Sequence, residues 1–311
     1  MSWGAFLGAG TRVADFAGLA KRWESDGVEH LWTGEVAGID AVTAAAVMAS
    51  STTSARVGLV WNAYLRSVAL SAMSLGALAD LAPARLDVAL GVSSPMLVEG
   101  WHGVPFERPV DRMVGLLTGL RSAFAGERLA NGFRLDLPPE IAPRLILAST
   151  GPRMLREAGP LADGVMVNWC TADDLSRIPG VPDDPAAISG LLYVCPTTDA
   201  HEARAAARKL MGGYLSAPGY AALQRLVGRG AALAEYWRLG AAGDRRGAAS
   251  AIPDETIDEL VAHGSPATCR ARIAEWERRG MIPLVVVVGP PEYQSRLSRL
   301  DAVPTRDRWT D

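Results

Sequence analysis

This 311-residue chain is short of the residues that do chemistry unaided: three cysteines, four histidines, and aromatics at only 6%. Cys170, Cys195 and Cys269 are widely spaced and odd in number, so they offer neither a disulfide framework nor a paired-cysteine zinc site. They read as core filler in a reducing compartment, which points to the cytoplasm. His30, His102, His201 and His263 lack metal-ligand spacing, so no metal site is expected. Of the 31 basic residues only Lys21 and Lys209 are lysines. Both fall in predicted helices, which argues against Schiff-base catalysis. A net charge of −3 leaves no basic excess for a nucleic-acid face. Apolar runs such as Leu284–Val288 fall far short of the roughly 20 residues of a membrane span. The opening Met1-Ser2-Trp3-Gly4 shows no signal-peptide pattern. There is no Walker loop, and Gly91-Val92-Ser93-Ser94-Pro95 places proline where a nucleophile elbow needs glycine.

What is present is alternation. Short apolar runs at 3–7, 30–33, 57–60, 86–90, 145–148, 164–167, 190–195 and 282–288 read as buried strands. Between them, apolar residues at three- and four-residue spacing predict helices over 12–25, 40–50, 67–81, 109–124, 152–158, 200–215 and 266–280. Eight strand–helix units in one chain predict an α/β fold, a single (β/α)8 TIM barrel spanning residues 1–311. Uneven spacing places insertions near 125–140 and over 214–262, the second helical and alanine-rich. No linker rich in Pro, Gly or Ser divides the chain.

In such a barrel the chemistry gathers where strands end. After the first strand, Gly8-Ala9-Gly10-Thr11 is half a dinucleotide fingerprint, more simply a turn into a helix capped by Thr11. After the second stands Glu35, either an acid, base or ligand anchor, or an ordinary solvated loop residue. The stretch 59–66 after the third strand, from Leu59 to Arg66, is too apolar and aromatic for a plain surface turn. After the fourth come Ser93, Ser94, Trp101 and His102; the histidine is a catalytic candidate or a packing residue. After the fifth, Ser149-Thr150-Gly151-Pro152-Arg153-Met154 is either a phosphate site at a helix start or simply a well-capped helix. Trp61, Trp101 and Trp169 all follow strand ends and are candidate walls for a flat ring. A barrel without metal, lysine or nucleophile borrows its chemistry. The residues themselves therefore point to a phosphorylated, planar cofactor of unresolved identity.

Several stretches, taken in order, resemble the luciferase-like monooxygenase superfamily, and within it the deazaflavin branch related to methylenetetrahydromethanopterin reductase. They are Leu90–Pro95 with Trp101–Pro109, Ala148–Leu155, Ala158–Asn168, and His263–Pro266 with Cys269–Ile273. The resemblance implies a luciferase-like barrel and coenzyme F420, with FMN as the alternative cofactor. It implies a non-prolyl cis peptide in a bulge at Leu59–Val60, with Asn62 nearby. It also implies cofactor contacts at Glu35, Gly91, Ser93, Ser94, Ala148, Ser149, Gly151, Arg153, Met154, Asp163 and Gly164, the 149–154 stretch holding the phosphate. Glu35 and His102 are the candidate catalytic residues. Relatives that carry histidine after the carboxylate differ from this chain, which has Val36. The expected activity is hydride transfer between deazaflavin and a small organic substrate. The alternatives are a two-component FMN monooxygenase and a non-catalytic ligand-binding barrel. By analogy with relatives, a homodimer is expected, with no nucleic-acid or membrane partner.

Overall fold

The computed structural model describes residues 3–8 and 11–299. Its strands are β1 (Gly4–Leu7), β2 (His30–Gly34), β3 (Arg56–Asn62), β4 (Leu86–Gly91), β5 (Arg144–Ala148), β6 (Gly164–Val167), β7 (Ile188–Cys195), β8 (Val261–His263) and β9 (Ile282–Val287). All pair in parallel, in the order β6-β5-β4-β3-β2-β1-β9-β7-β8, and a further β6–β7 pairing closes the barrel. The eight full strands match the expected runs. β8 is an addition: the second insertion, expected to be helical to 262, ends in this short strand. It pairs with Tyr193–Cys195, while β6 pairs only with Ile188–Gly190 of the same strand. Since β9 runs along the other edge of β7 from Ser189 to Val194, β6 and β8 divide one edge between them.

The helices of the ring are α1 (Val13–Ser25), α2 (Ala41–Ser51), α3 (Val68–Leu81), α4 (Pro95–Val98), α5 (Pro109–Phe124), α6 (Pro152–Ala158) and α7 (Ala200–Tyr214). After them come α8 (Pro218–Leu226), α9 (Ala234–Ala241), α10 (Arg245–Ser250), α11 (Asp254–Leu260) and α12 (Pro266–Arg278). Their starts are written locally. Asp40, Ser67, Asp199 and Ser265 each accept a backbone N–H from the first turn. Proline opens α4, α5, α6, α8 and α12, where its missing N–H costs nothing. Thr11, expected to cap the first helix, does not: the cap residue is Arg12, with no side-chain bond. The Gly8–Gly10 fragment cannot be followed further, because Ala9 and Gly10 lie outside the described residues.

Strand alternation sorts the core into two layers. Val57, Leu59 and Trp61 face outward and pack with helix residues such as Ala72 and Leu75. Trp32, Ala89, Ile146, Met166 and Leu284 fill the barrel itself. A Cβ at Gly58 would lie 2.1 Å from Cδ2 of Trp32, so the glycine makes room for the indole. At the N-terminal end the interior is closed by charge. Asp87, 1% exposed, accepts from Arg56 Nε at 2.9 Å and NH2 at 2.5 Å, with Arg144 at 3.8 Å. His30 is buried beside them, and that burial holds its imidazole below the usual range against the nearby Asp87 charge. The excursion after α5 lies at this same end, with Leu135 and Pro139 packed near Gly76 of α3.

Glu24 ties the α1 end to the loop before β3. Its Oε1 accepts the N–H groups of Thr53, Ser54 and Ala55 at 2.9, 2.7 and 2.8 Å, and the Ser54 hydroxyl at 2.9 Å. Burial alone would raise its pKa; the hydrogen bonds outweigh burial and bring it from 4.5 down to about 2. A carboxylate with a depressed folded pKa stabilises above its unfolded value and loses that contribution as pH falls through the folded one. Glu24→Gln should therefore lower stability by about 1–2 kcal/mol at pH 7. In denaturant unfolding the difference from wild type should close as the pH approaches about 2.

Candidate active site

The C-terminal strand ends form the mouth, and its two halves differ in side-chain size. Gly34, Gly91 and Ala148 end β2, β4 and β5 on the inward-facing positions, and Gly8 follows β1. Opposite them stand Asn168 and Tyr193, from β6 and β7. Below the small residues, Phe6, Val60, Leu191 and Val286 are only half-buried, so the mouth opens down to them. A Cβ on Gly34 would sit 3.0 Å from Phe6 Cζ and 3.3 Å from Val60 Cβ; one on Gly91 would meet Ala148 Cβ at 3.5 Å. The absent side chains leave an apolar floor between these strand ends. Beside it, Ser93 holds φ of 61°, a conformation uncommon outside glycine, which bends the chain sharply after β4.

Glu35 does lie at the mouth, but it is not a free carboxylate. Arg66 grips it with two bonds, NH1 to Oε1 at 2.5 Å and NH2 to Oε2 at 3.1 Å. The Ala41 N–H adds a third at 3.3 Å. Arg66 also bonds Asp40 at 2.9 Å and lies 4.5 Å above the Trp61 ring. The hydrogen bond that Arg66 donates to Glu35 raises the Arg66 pKa against the cost of burial. Both oxygens of this carboxylate are engaged by one guanidinium, so a proton could reach it only by breaking the fork. Arg66 ended the apolar stretch after the third strand in the sequence, yet no spacing tied it to Glu35 thirty-one positions earlier.

Other expected residues sit elsewhere. Leu59 and Trp61 have the wrong strand parity: both are fully buried against the helices, and Trp61 Nε1 donates to Ser71 Oγ at 3.2 Å. The implied cis peptide is absent among the described residues, and β3 pairs residue for residue with both neighbours through Val60. One-to-one pairing leaves no extra residue for a bulge. Gly164 begins β6 and Asp163 precedes it, so both lie at the closed end of the barrel. There Asp163 accepts the Leu145 N–H at 2.8 Å and an Arg121 bond at 2.8 Å. Arg153 turns along its helix to Glu157 at 2.8 Å. Trp101 and His102 are exposed on the loop after α4, and the three indoles do not converge. Asn62 is buried on the inner side, accepting the Tyr64 N–H at 2.9 Å. In the 149–154 stretch, Ser149 Oγ accepts the Gly151 N–H at 3.1 Å, and the first turn of α6 has no side-chain cap.

Of the far side of the mouth, the sequence pointed to Trp169 but not to the partners that fix it. Trp169, at φ 54°, stacks on Tyr193 with centroids 3.9 Å apart. Tyr193 donates to Asn168 Oδ1 at 3.0 Å, and Asn168 Nδ2 donates to Tyr220 Oη at 2.9 Å. Gln224, fully buried on the same helix as Tyr220, donates to the Trp169 carbonyl at 2.7 Å. Thus α8, part of the second insertion, is bolted over this side.

A closed parallel barrel with a hollowed C-terminal mouth places the protein among the (β/α)8 enzymes-and-binders class, whose sites lie at that end. Over residues 3–281 the chain matches the luciferase-like monooxygenases, and it belongs to that family. It is 27% identical to a Mycobacterium tuberculosis protein named as a proposed coenzyme F420-dependent oxidoreductase, covering 91% of this chain and 93% of that one. It is 25% identical to the 5,10-methylenetetrahydromethanopterin reductase of Methanolobus tindarius, covering 90% and 91%. The coenzyme F420-dependent tetrahydromethanopterin reductase of Methanopyrus kandleri shares its fold, with a TM-score of 0.74 at 19% identity over 96% of each chain. No helix among the described residues is long and apolar enough to cross a membrane.

The Glu35–Arg66 fork can be weighed by removing one side. Arg66→Met should destabilise the fold by about 2 kcal/mol at pH 7, because it strands a half-buried carboxylate. Glu35→Gln in the same background should restore much of that loss in chemical denaturation.

Proposed function

We propose that the chain is a coenzyme F420-dependent oxidoreductase that moves hydride between the deazaflavin and a small organic substrate. The observation that carries this reading is the end-to-end match to relatives named for such reactions. The floor beside Gly34, Gly91 and Ala148 fits a flat ring, since a Cβ at either glycine would enter it. Bound there, the deazaflavin supplies the carbon that gives or takes the hydride.

The chain does the remaining work. Phe6, Val60, Gly91 and Ala148 would seat the ring, and the bend at Ser93–Ser94 would edge it. Ser149, Gly151 and Met154 would meet the phosphodiester tail at the start of α6. The aromatic wall under α8 would keep water, a competing nucleophile, from one side of a bound ring. Glu35, held by Arg66, would orient a ligand group. His102, exposed on its loop, lies outside this set. The reading includes a reducing, cytoplasmic setting, which the three free buried thiols fit. It includes one barrel unit paired as a homodimer, which fits the exposed Leu70, Met73 and Leu81 along α3.

Calorimetric titration with coenzyme F420 and, separately, FMN tests the cofactor. Micromolar binding of the deazaflavin with none of FMN is expected. Preference for FMN would replace the reading with a flavin monooxygenase, and binding of neither would replace it with a non-catalytic barrel. Gly91→Leu should keep the fold, because its Cβ meets only ordinary contact distances. Its side chain enters the floor, and F420 affinity should fall at least tenfold, or about 1.4 kcal/mol.

A further inference from the structure

We propose that Tyr220 is the proton donor to the oxygen of a neutral carbonyl substrate, a ketone or aldehyde, seated above the floor of the mouth. This rests on the oxidoreductase reading above. A hydrogen-bond chain leads to it. Tyr193 O–H donates to Asn168 Oδ1, and Asn168 Nδ2 donates to the Tyr220 oxygen. The Tyr220 oxygen is therefore engaged as an acceptor, while its O–H donates to no atom among the described residues. Asn168 and Tyr193 are mouth residues, so a phenol bonded to Asn168 at 2.9 Å stands at the inner rim. Tyr193 is 4% exposed with its proton committed to Asn168, whereas Tyr220 is half-buried and its proton is free.

The helix that carries Tyr220 is held for the purpose. Tyr220 and Gln224 share a face of α8, four residues apart. One takes a bond from the Asn168 side chain and the other gives a bond to the Trp169 carbonyl. Trp169 is in the left-handed region, an uncommon conformation for a bulky residue, as its carbonyl meets Gln224. Burial also pushes the Tyr220 hydroxyl well above its ordinary pKa, so it stays protonated as a donor through neutral pH.

The substrate class follows from what else the mouth offers. Arg66 is committed to Glu35 and Asp40, and Arg153 to Glu157. A carboxylate or phosphate substrate would find no uncommitted cation among these. A neutral oxygen needs one O–H donor and no cation. In the step, hydride from the reduced deazaflavin forms a C–H bond at the carbonyl carbon. The C=O π pair moves to oxygen, which takes the Tyr220 proton as that O–H bond breaks. The deazaflavin's own C–H bond breaks as it is oxidised, so the products are the alcohol, the oxidised protonated deazaflavin and a phenolate held by Asn168 Nδ2 until a proton returns to it.

The test compares wild type with Tyr220→Phe. Calorimetry measures binding of coenzyme F420 and, with and without it, of isobutyramide and longer aliphatic amides as inert carbonyl mimics. Turnover of a ketone and aldehyde panel is followed across pH in H2O and D2O. The expected result is F420 affinity within twofold of wild type, amide affinity down about tenfold, kcat down at least tenfold, and a diminished solvent isotope effect. Equal amide affinity in the two proteins, or no amide binding to wild type, overturns the proposal; so does equal kcat. If F420 fails to bind either protein, the oxidoreductase reading falls, and the amide affinities of the cofactor-free proteins still decide whether Tyr220 is a carbonyl donor.

Discussion

The mouth depends on how β7 is paired. β9 holds one edge of it along Ser189–Val194, while the other edge belongs to β6 at its start and to β8 at its finish. Because β8 takes the last stretch, β6 stops at Val167 and the chain leaves the sheet at Asn168 and Trp169. That departure frees an amide side chain and a backbone carbonyl for α8 to bind. Without the three residues of β8, the outermost edge of β7 would go unpaired at this end. The second insertion is thus part of the barrel wall as well as its cover.

The rim is asymmetric in both size and charge. Glycine and alanine end β2, β4 and β5, which opens space on one side; aromatic rings and an amide fill the other. Charges at the rim are paired locally, Glu35 and Asp40 sharing one guanidinium. A ring system settles where side chains are missing, and polar selection is left to hydroxyl and amide groups. This division suits a cofactor that brings its own reactivity.

The strands and the ring helices were legible in the sequence because parallel barrel strands are buried on both faces and read as apolar runs between turn residues. β8 was not, since Val261-Ala262-His263 is too short to show any period. Trp61 was misplaced through its nearness to a strand end. Its parity with Val57 and Leu59, opposite to Gly58, held the signal that it faces the helices. Asp163 was carried over by resemblance although it precedes its strand, and in a parallel barrel that alone assigns it to the opposite face. Arg66 and Tyr220 had no sequence signal of their own. One meets Glu35, and the other Asn168, only after the chain has folded back across 31 and 52 positions.

At the opposite end, the Arg56–Asp87–Arg144 cluster and His30 seal the barrel with buried charge. Removing a partner from such a cluster is costly, so it does not open in ordinary fluctuations. The barrel is therefore a vessel with a single door. Whatever rests on the floor must enter before whatever rests above it, and must leave after it. Under the function proposed above, this predicts ordered steady-state kinetics in which the deeper ligand binds first.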